Sequence, residues 1–120
     1  MNRWVLLEHK ILSNNLCDIH YDFLVEDKLD CFTWKLQKIP LIHKGFVKIG
    51  KQLNHRLVWL SRAEYKLSNN RGSIKRIDHG TFTYIYHNQD SQKLKIILNG
   101  KLLKGLLTID GNFCQLTKNN

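Results

Sequence analysis

The chain has 120 residues, of which 42% are hydrophobic and 24% are charged, a composition that predicts one globular domain spanning residues 1–120 and excludes wholesale disorder. Nineteen Lys and Arg against ten Asp and Glu give a formal net charge of +9, which favours polyanionic partners such as nucleic acid. No apolar run approaches the roughly 18–20 residues that span a bilayer, and the first residues lack the apolar region of a signal peptide, so we expect a cytoplasmic protein without membrane association.

The N-terminal third of the chain predicts three strands. Residues 3–9 are β-branched, aromatic and aliphatic, as in a largely buried strand, and a connection follows over residues 10–19. Residues 20–26 alternate polar and apolar side chains and predict a second strand. A turn at Asp27-Lys28 leads into a third strand over residues 31–36, so the second and third strands are expected to form a tight hairpin.

The middle of the chain has weaker patterns. Pro40 opens a segment that we expect to be loop, with one short strand near residues 46–49. Residues 56–60 are mostly apolar and predict a further strand. Residues 63–70 are polar and predict a connection with room for one helical turn.

The C-terminal half predicts a meander of short strands. Residues 73–78 are expected to pair with residues 81–86 across a turn at His79-Gly80. Apolar side chains recur at every second position in two of these strands, at Phe82, Tyr84 and Tyr86 and at Leu94, Ile96 and Leu98. This period of two is typical of half-buried strands.

Two dipeptides in the last quarter predict type I′ hairpin turns, Asn99-Gly100 and Asp110-Gly111. The strands around them are expected over residues 102–109 and 112–116, and residues 118–120 are expected to form a frayed tail. A set of about eight short antiparallel strands with little helix usually closes on itself. The sequence therefore predicts an all-β fold, a small closed or nearly closed β-barrel.

The second predicted strand carries the side chains with the most evident chemistry. Alternation sends His20, Asp22 and Glu26 to one face and the apolar Tyr21, Phe23 and Val25 to the other. A histidine and a carboxylate two residues apart on a strand can both reach one cation. An ordinary half-buried strand with a polar outer face would show the same alternation.

Histidines also fall near other chemically capable residues. His9 ends the first predicted strand and His55 precedes Arg56. Two histidines and one carboxylate form a ligand set that suits Mn²⁺, Fe²⁺ or Zn²⁺ with coordination positions left open. The three cysteines, Cys17, Cys31 and Cys114, are too few and too scattered for a disulfide framework or a Cys-x-x-Cys zinc site.

Seven segments of the chain, in order, resemble the 3′-phosphoesterase domain of bacterial DNA ligase D, and more closely its short stand-alone relatives. They are Val5-Leu6-Leu7-Glu8-His9, His20-Tyr21-Asp22-Phe23, Phe32-Thr33-Trp34 with Leu36, Asn54-His55-Arg56-Leu57-Val58, Arg71-Gly72-Ser73, Asp78-His79-Gly80-Thr81-Phe82 and residues 98–105. The resemblance covers nearly the whole chain. It implies a small β-barrel with an active-site groove and a Mn²⁺-dependent activity that trims 3′ ends of DNA, removing a 3′-terminal ribonucleotide or a 3′-phosphate.

The resemblance also implies roles for individual residues. The metal ligands of the family fall on His9, His20 and Asp22, and the histidine that contacts the scissile phosphate falls on His55. Bound Mn²⁺, or another divalent transition metal such as Zn²⁺, would activate water and polarise a phosphate oxygen. His55 would stabilise developing charge or protonate the leaving oxygen. We expect three arginines to hold the nucleic acid by its phosphates, Arg56, Arg71 and Arg76.

The chain departs from the family pattern at three points. The second residue after the aspartate is Leu24, where the long-form enzymes have an arginine that is needed for activity. The tyrosine expected four residues after His55 is Trp59, which keeps an N–H donor and a stacking face but lacks the hydroxyl. The chain also has more residues between His9 and His20, so we expect a longer loop to bring in the first ligand.

Three functions fit these features. The first is a metal-dependent phosphoesterase that acts as a monomer on 3′ ends of DNA or RNA, with primer-template DNA ends as the expected partner and a separate DNA ligase beside it. The second is a β-barrel module that no longer catalyses and binds nucleic acid or a repair partner, which the loss of the arginine and the tyrosine favours. The third is a phosphoesterase for a small phosphorylated molecule. The presence of all four residues of the expected site favours the first.

Overall fold

The computed structural model of the protein describes residues 2–68 and 71–119, which form nine β-strands and two short 3-10 helices. The strands are β1 Arg3–Ser13, β2 Leu16–Glu26, β3 Cys31–Leu36, β4 Val47–His55, β5 Glu64–Lys66, β6 Ser73–Asn88, β7 Lys93–Asn99, β8 Lys104–Asp110 and β9 Phe113–Thr117. The 3-10 helices are Ile42–Lys44 and Leu57–Leu60. Within the described residues, no helix is long and apolar enough to cross a membrane.

The strands form one antiparallel sheet that closes into a ring. Its order is β1-β2-β3-β4-β9-β8-β7-β6, and β6 pairs back to β1. The narrowest seam joins β4 to β9 through two residue pairs, Val47 with Cys114 and Lys48 with Phe113. The short β5 attaches to β6 outside this ring. The predicted all-β barrel of about eight strands is confirmed, with β5 as an additional ninth strand.

Apolar side chains are buried on two sides of the barrel wall. The interior holds the larger cluster, to which nearly every strand contributes, including Trp4 and Phe23. A second cluster lies on the outer face of β1, β2 and β6 and consists of Val5, Leu7, Leu24, Cys31, Leu60 and Ile74. Because the 3-10 helix Leu57–Leu60 packs over this outer face, β1 and β2 are buried on both faces at this point.

The predicted connection over residues 10–19 is wrong, because β1 and β2 continue as a long hairpin. Its tip is Asn14-Asn15, and both asparagines have positive φ, 51° and 65°, which a tight type I′ turn requires. Residues 12–19 are exposed, so no buried face imposes an apolar alternation on their sequence. His9 therefore lies directly opposite His20 in the β1–β2 ladder, and no longer loop is needed to bring it in.

The structure also corrects the middle of the chain. The strand expected at residues 46–49 extends over Val47–His55, and residues 57–60, expected as strand, form a 3-10 helix. In this helix Leu57 and Leu60 recur at a spacing of three and pack on the second cluster, which matches the 3-10 repeat. Residues 64–66 form β5 and not a helical turn, while Asn69 and Asn70 of the predicted connection lie outside the described residues.

The turn predicted at His79-Gly80 is absent, since Ser73–Asn88 is one continuous strand of 16 residues. Its first part pairs with β1 and its last part with β7. Gly80 is needed for close approach and not for a turn, because a Cβ there would overlap the Asn99 carbonyl oxygen. A register shift between Tyr84 and Tyr86 also interrupts the predicted period of two.

The type I′ turn predicted at Asn99-Gly100 is also wrong. β7 ends at Asn99 and β8 begins at Lys104, and Gly100 does not have positive φ. Four backbone N–H groups donate to the buried carboxylate of Asp78, namely those of His79 at 2.9 Å, Lys101 at 3.2 Å, Leu102 at 2.8 Å and Leu103 at 2.7 Å. The Asp78 carboxylate thus accepts hydrogen bonds in place of the backbone acceptors of a two-residue turn, and it holds the wider connection between β7 and β8.

The hairpin predicted at Asp110-Gly111 is confirmed, because β8 ends at Asp110 and β9 begins at Phe113. Gly111 has φ of 59°, but Asn112 does not have positive φ, so the turn is not the predicted type I′. Lys118 and Asn119 follow β9 without regular structure, and Asn120 of the predicted tail lies outside the described residues.

Gly80→Ala is expected to lower the free energy of unfolding by about 2–4 kcal/mol, because the new methyl group would force β6 and the end of β7 apart. Gly50→Ala is the matched control. Its Cβ would approach only the Gln52 side chain, at 3.7 Å, so its unfolding free energy should stay within about 0.5 kcal/mol of the parent protein. Urea denaturation of the three proteins measures both values, and equal midpoints would contradict the packing at Gly80.

Candidate metal centre

The β1–β2 ladder gathers the three predicted metal ligands on the outer face of the barrel. His9 and His20 are a directly opposed pair, and Asp22 follows on the same face of β2. His9 Nδ1 lies 3.2 Å from His20 Nε2, which lies 3.4 Å from Asp22 Oδ1. One ligand atom from each residue lies within 4.8 Å of the other two. The structure therefore brings together His9, His20 and Asp22.

The spacing of these atoms can be compared with that of ligands around one ion. Two atoms bound to a first-row metal at about 2.1 Å are about 3.0 Å apart at octahedral angles and about 3.4 Å apart at tetrahedral angles. The two shorter separations, 3.2 and 3.4 Å, fall in this range. Two imidazoles and a carboxylate are also donors that Mn²⁺ and Zn²⁺ accept, so the residues present fit such an ion.

Hydrogen bonding determines which nitrogen of His9 is free to bind a metal. His9 Nε2 lies 2.7 Å from the Arg71 carbonyl oxygen, which can only accept, so Nε2 carries the proton and donates it. In the neutral ring Nδ1 then has a lone pair, and it faces His20. A backbone carbonyl that accepts from the second ring nitrogen is the usual orienting partner of a metal-binding histidine.

His20 is held in a more enclosed environment. Its Nδ1 is buried and has no hydrogen-bond partner within residues 2–68 and 71–119, so its contacts are made through Nε2. Burial lowers the pKa of His20, the Asp22 carboxylate opposes this effect, and the positive charge of Lys35 adds to it. A lowered pKa favours the neutral imidazole, which is the form that binds metals.

A cavity of about 230 Å³ adjoins this centre. Eight residues line it, Leu7, His9, Asp22, His55, Trp59, Leu67, Arg71 and Ile74. It lies between the barrel wall and the covering 3-10 helix, so its apolar side belongs to the second cluster. The structure thus places His55, Trp59 and Arg71 around the same space as two of the three candidate ligands.

His55 ends β4 and lies opposite Cys31 at a register shift in the β3–β4 ladder. Its Nδ1 is 3.1 Å from the Leu53 carbonyl oxygen, so Nδ1 carries a proton that it donates to this acceptor. In the neutral ring Nε2 is left with a lone pair. His55 is therefore oriented by its own strand and can take or return a proton at Nε2.

Trp59 stands in the 3-10 helix beside a cation that the sequence did not single out. The Trp59 ring contacts Tyr65 edge to face, with centroids 5.4 Å apart. The Arg62 guanidinium lies 5.1 Å from the centroid of Trp59 and 4.2 Å from that of Tyr65. Nothing in the sequence distinguishes Arg62 from the other basic residues, since its stacking depends on the 3-10 helix that was predicted as strand.

The three predicted phosphate-binding arginines differ in position. Arg71 lines the cavity, but its guanidinium donates to Ser68 O at 3.1 Å and to Ser68 Oγ at 3.2 Å. Arg56 is exposed just before the 3-10 helix, and Arg76 is half-buried opposite Leu7 in the β1–β6 ladder. Neither Arg56 nor Arg76 lines the cavity.

Leu24, at the position where the resemblance expects an arginine, is fully buried in the second cluster. No guanidinium can take its place without displacing this packing. A different basic residue, Lys35, pairs with Asp22 across the β2–β3 ladder. The sequence did not identify Lys35 because its proximity to Asp22 follows from strand register.

A larger cavity, of about 350 Å³, contains none of the predicted site residues. It adjoins Phe32 and Trp34 of the barrel interior. The Lys51 ammonium lies over both rings and donates to the carbonyl oxygens of Thr33 and Gln52 and to Asn54 Oδ1. Its three N–H donors are therefore occupied within the protein.

Comparison with known proteins finds no family model that matches the chain and no curated protein that matches it. The resemblance to the 3′-phosphoesterase domain stays a prediction that is based on the motifs in the sequence.

Proposed function

We propose that this protein is a divalent-metal-dependent phosphoesterase that removes 3′-phosphates or 3′-terminal ribonucleotides from nucleic acid ends. The observation that carries the proposal is the convergence of His9, His20 and Asp22, with two of their three separations suited to one ion, beside a cavity that His55 also lines. Three protein ligands leave coordination positions open, as catalytic sites need and structural sites do not.

His9 Nδ1, His20 Nε2 and the Asp22 carboxylate would hold the ion. Bound there, Mn²⁺ or Zn²⁺ supplies a Lewis acid for a phosphate oxygen and a water of lowered pKa. His55 exchanges a proton at Nε2 while the Leu53 carbonyl oxygen keeps its ring oriented. Trp59 lines the same cavity, and its indole N–H can donate a hydrogen bond to the substrate.

The net charge of +9 supports a polyanionic substrate. Lysine and arginine contacts to phosphates hold a strand without reading its sequence. In this proposal the substrate is the 3′ end of primer-template DNA. The protein acts as a monomer in the cytoplasm, beside a separate DNA ligase.

A nucleic-acid-binding module without catalysis is the second candidate. Two observations favour it, the burial of Leu24 where an arginine is expected and the engagement of the Arg71 guanidinium by Ser68. No guanidinium therefore stands at the position of Leu24, and that of Arg71 is partly engaged within the protein. The test must therefore measure binding and cleavage separately.

Incubation of the protein with Mn²⁺ and primer-templates that end in a 3′-phosphate or a single 3′-ribonucleotide is expected to give trimmed ends, resolved by gel electrophoresis. His55→Ala should slow cleavage by about 10²–10⁴-fold, because proton transfer at Nε2 is lost, and should leave DNA binding largely intact. His87→Ala is the matched control, since His87 is an exposed histidine that does not line the 230 Å³ cavity.

DNA binding that falls steeply with salt, without any trimming at high protein concentration, would contradict the phosphoesterase and support the binding module. Hydrolysis of p-nitrophenyl phosphate without trimming of any DNA end would point instead to a small phosphorylated substrate.

A further inference from the structure

Lys35 lies directly across from Asp22 in the β2–β3 ladder. Directly opposed residues of an antiparallel pair have their side chains on the same face, with Cβ atoms about 4.5–5.5 Å apart. Lys35 therefore rises from the outer face of the barrel beside the candidate metal centre. Its side chain is exposed, so its ammonium can move over the neighbouring surface.

The charge of Lys35 is not committed to another residue. No hydrogen bond or ion pair of its side chain occurs within residues 2–68 and 71–119.

Lys35 does not line the cavity. The lining residues come from β1, β2, β6, the end of β4 and the segment that covers the outer face, whereas Lys35 stands on β3. Beyond Lys35 the ladder continues to Gly50 of β4. A Cβ at Gly50 would meet only Gln52 Nε2, at 3.7 Å, so the surface next to Lys35 is open.

We propose that Lys35 binds the substrate phosphate at this centre and supplies from β3 the positive charge that the buried Leu24 cannot supply from β2. This inference rests on the proposed function for the identity of its substrate. A lysine acts as a flexible point charge and not as a planar fork, so it does not need the position of the missing arginine. Gly50 leaves space for the strand to continue over β4.

The first test compares Lys35→Ala with Lys95→Ala in binding a 3′-phosphorylated single strand of DNA. Lys95 is an exposed lysine on β7, on the side of the barrel formed by β6, β7 and β8. Fluorescence anisotropy in the presence of Mn²⁺ is expected to give an affinity about 10-fold lower for Lys35→Ala. The slope of log affinity against log salt should also become shallower by about 0.7, the value for one lost phosphate contact on a single strand. Lys95→Ala should stay within about twofold of the parent protein.

The second test adds charge at Gly50. Gly50→Glu places a carboxylate directly opposite Lys35 and should weaken binding to a similar extent as Lys35→Ala. The new carboxylate would repel the phosphate and would also pair with the Lys35 ammonium. Gly50→Ala controls for the side chain itself and should bind as the parent protein does. Lys35→Arg should retain binding because it retains the charge.

Equal affinities for Lys35→Ala, Lys95→Ala and the parent protein would overturn the inference, and cleavage by the parent protein would then leave the proposed function standing. Loss of binding in Lys35→Ala without cleavage by the parent protein would support Lys35 as a phosphate-binding residue while removing the phosphoesterase. Absence of both binding and cleavage in the parent protein would remove both proposals.

Discussion

Asp22→Asn is expected to reduce Mn²⁺-dependent trimming of a 3′-phosphorylated DNA end by about 10³-fold, which corresponds to about 4 kcal/mol of transition-state stabilisation. The substitution keeps the shape of the side chain and removes its charge. His9 and His20 alone would then hold the ion, without the anionic ligand that lies 3.4 Å from His20 Nε2. The change is measured as single-turnover cleavage over a range of Mn²⁺ concentrations, with Mn²⁺ binding followed by electron paramagnetic resonance.

Asp18→Asn is the matched control for this experiment. Asp18 is an exposed carboxylate on the same strand, two residues before His20, and it pairs with Ile11. Its removal should change cleavage less than about threefold, since the charge of an exposed side chain is screened by solvent. If Asp22→Asn cleaved and bound Mn²⁺ as the parent protein does, the assignment of the three ligands would be refuted.

Asp78→Ala is expected to lower the free energy of unfolding by about 4 kcal/mol. The carboxylate accepts four backbone N–H groups and is itself only 5% exposed. Its removal would leave several of these donors buried without an acceptor, and each such loss costs about 1–3 kcal/mol. Because the total stability of a domain is about 5–15 kcal/mol, the variant would be close to unfolding at physiological temperature.

Asp90→Ala serves as the control, because Asp90 is an exposed residue in the connection between β6 and β7. Its unfolding free energy should stay within about 0.5 kcal/mol of the parent protein. Asp78→Asn should lie between the two, since an amide has one acceptor oxygen in place of two. Urea midpoints for the three variants that did not follow this order would show that Asp78 does not hold the β7–β8 connection.

The sequence was sufficient to predict the barrel because a buried interior demands alternation. Lys93–Asn99 and Lys104–Asp110 show this directly, as each buries every second residue. Where both faces are covered or both are exposed, alternation is lost. Residues 57–60 pack on the second cluster as a 3-10 helix, and residues 12–19 project into solvent as a hairpin, so their sequences contained no reliable period.

Glycines were misread for a related reason. A glycine in a turn and a glycine that admits a neighbouring backbone look alike in sequence, and Gly80 and Gly100 belong to regions where the close neighbours come from distant parts of the chain. Both Asn99-Gly100 and Asp110-Gly111 connect paired strands, but only Asp110-Gly111 lies in a two-residue turn.

The residues of the candidate centre also differ in how far the sequence could identify them. His9, His20, Asp22 and His55 were identified from motifs, and the fold brings them to one side of the barrel. What an arginine or lysine can reach depends on strand register and on its other partners, which the sequence does not show. Arg76 was chosen from the sequence and lies outside the cavity, whereas Lys35 was overlooked and stands opposite Asp22.

In the long β1–β2 hairpin, the number of residues between His9 and His20 can change without a change in the positions of their side chains. Because His9 and His20 are partners in one ladder, residues can be added or removed at the tip in whole pairs without moving either imidazole. A slip of a single residue, in contrast, would turn one histidine to the opposite face of the sheet. The interval between the two histidines is therefore free to differ among proteins with such a centre, provided that the number of residues in the turn and the pairing of the strands stay in step.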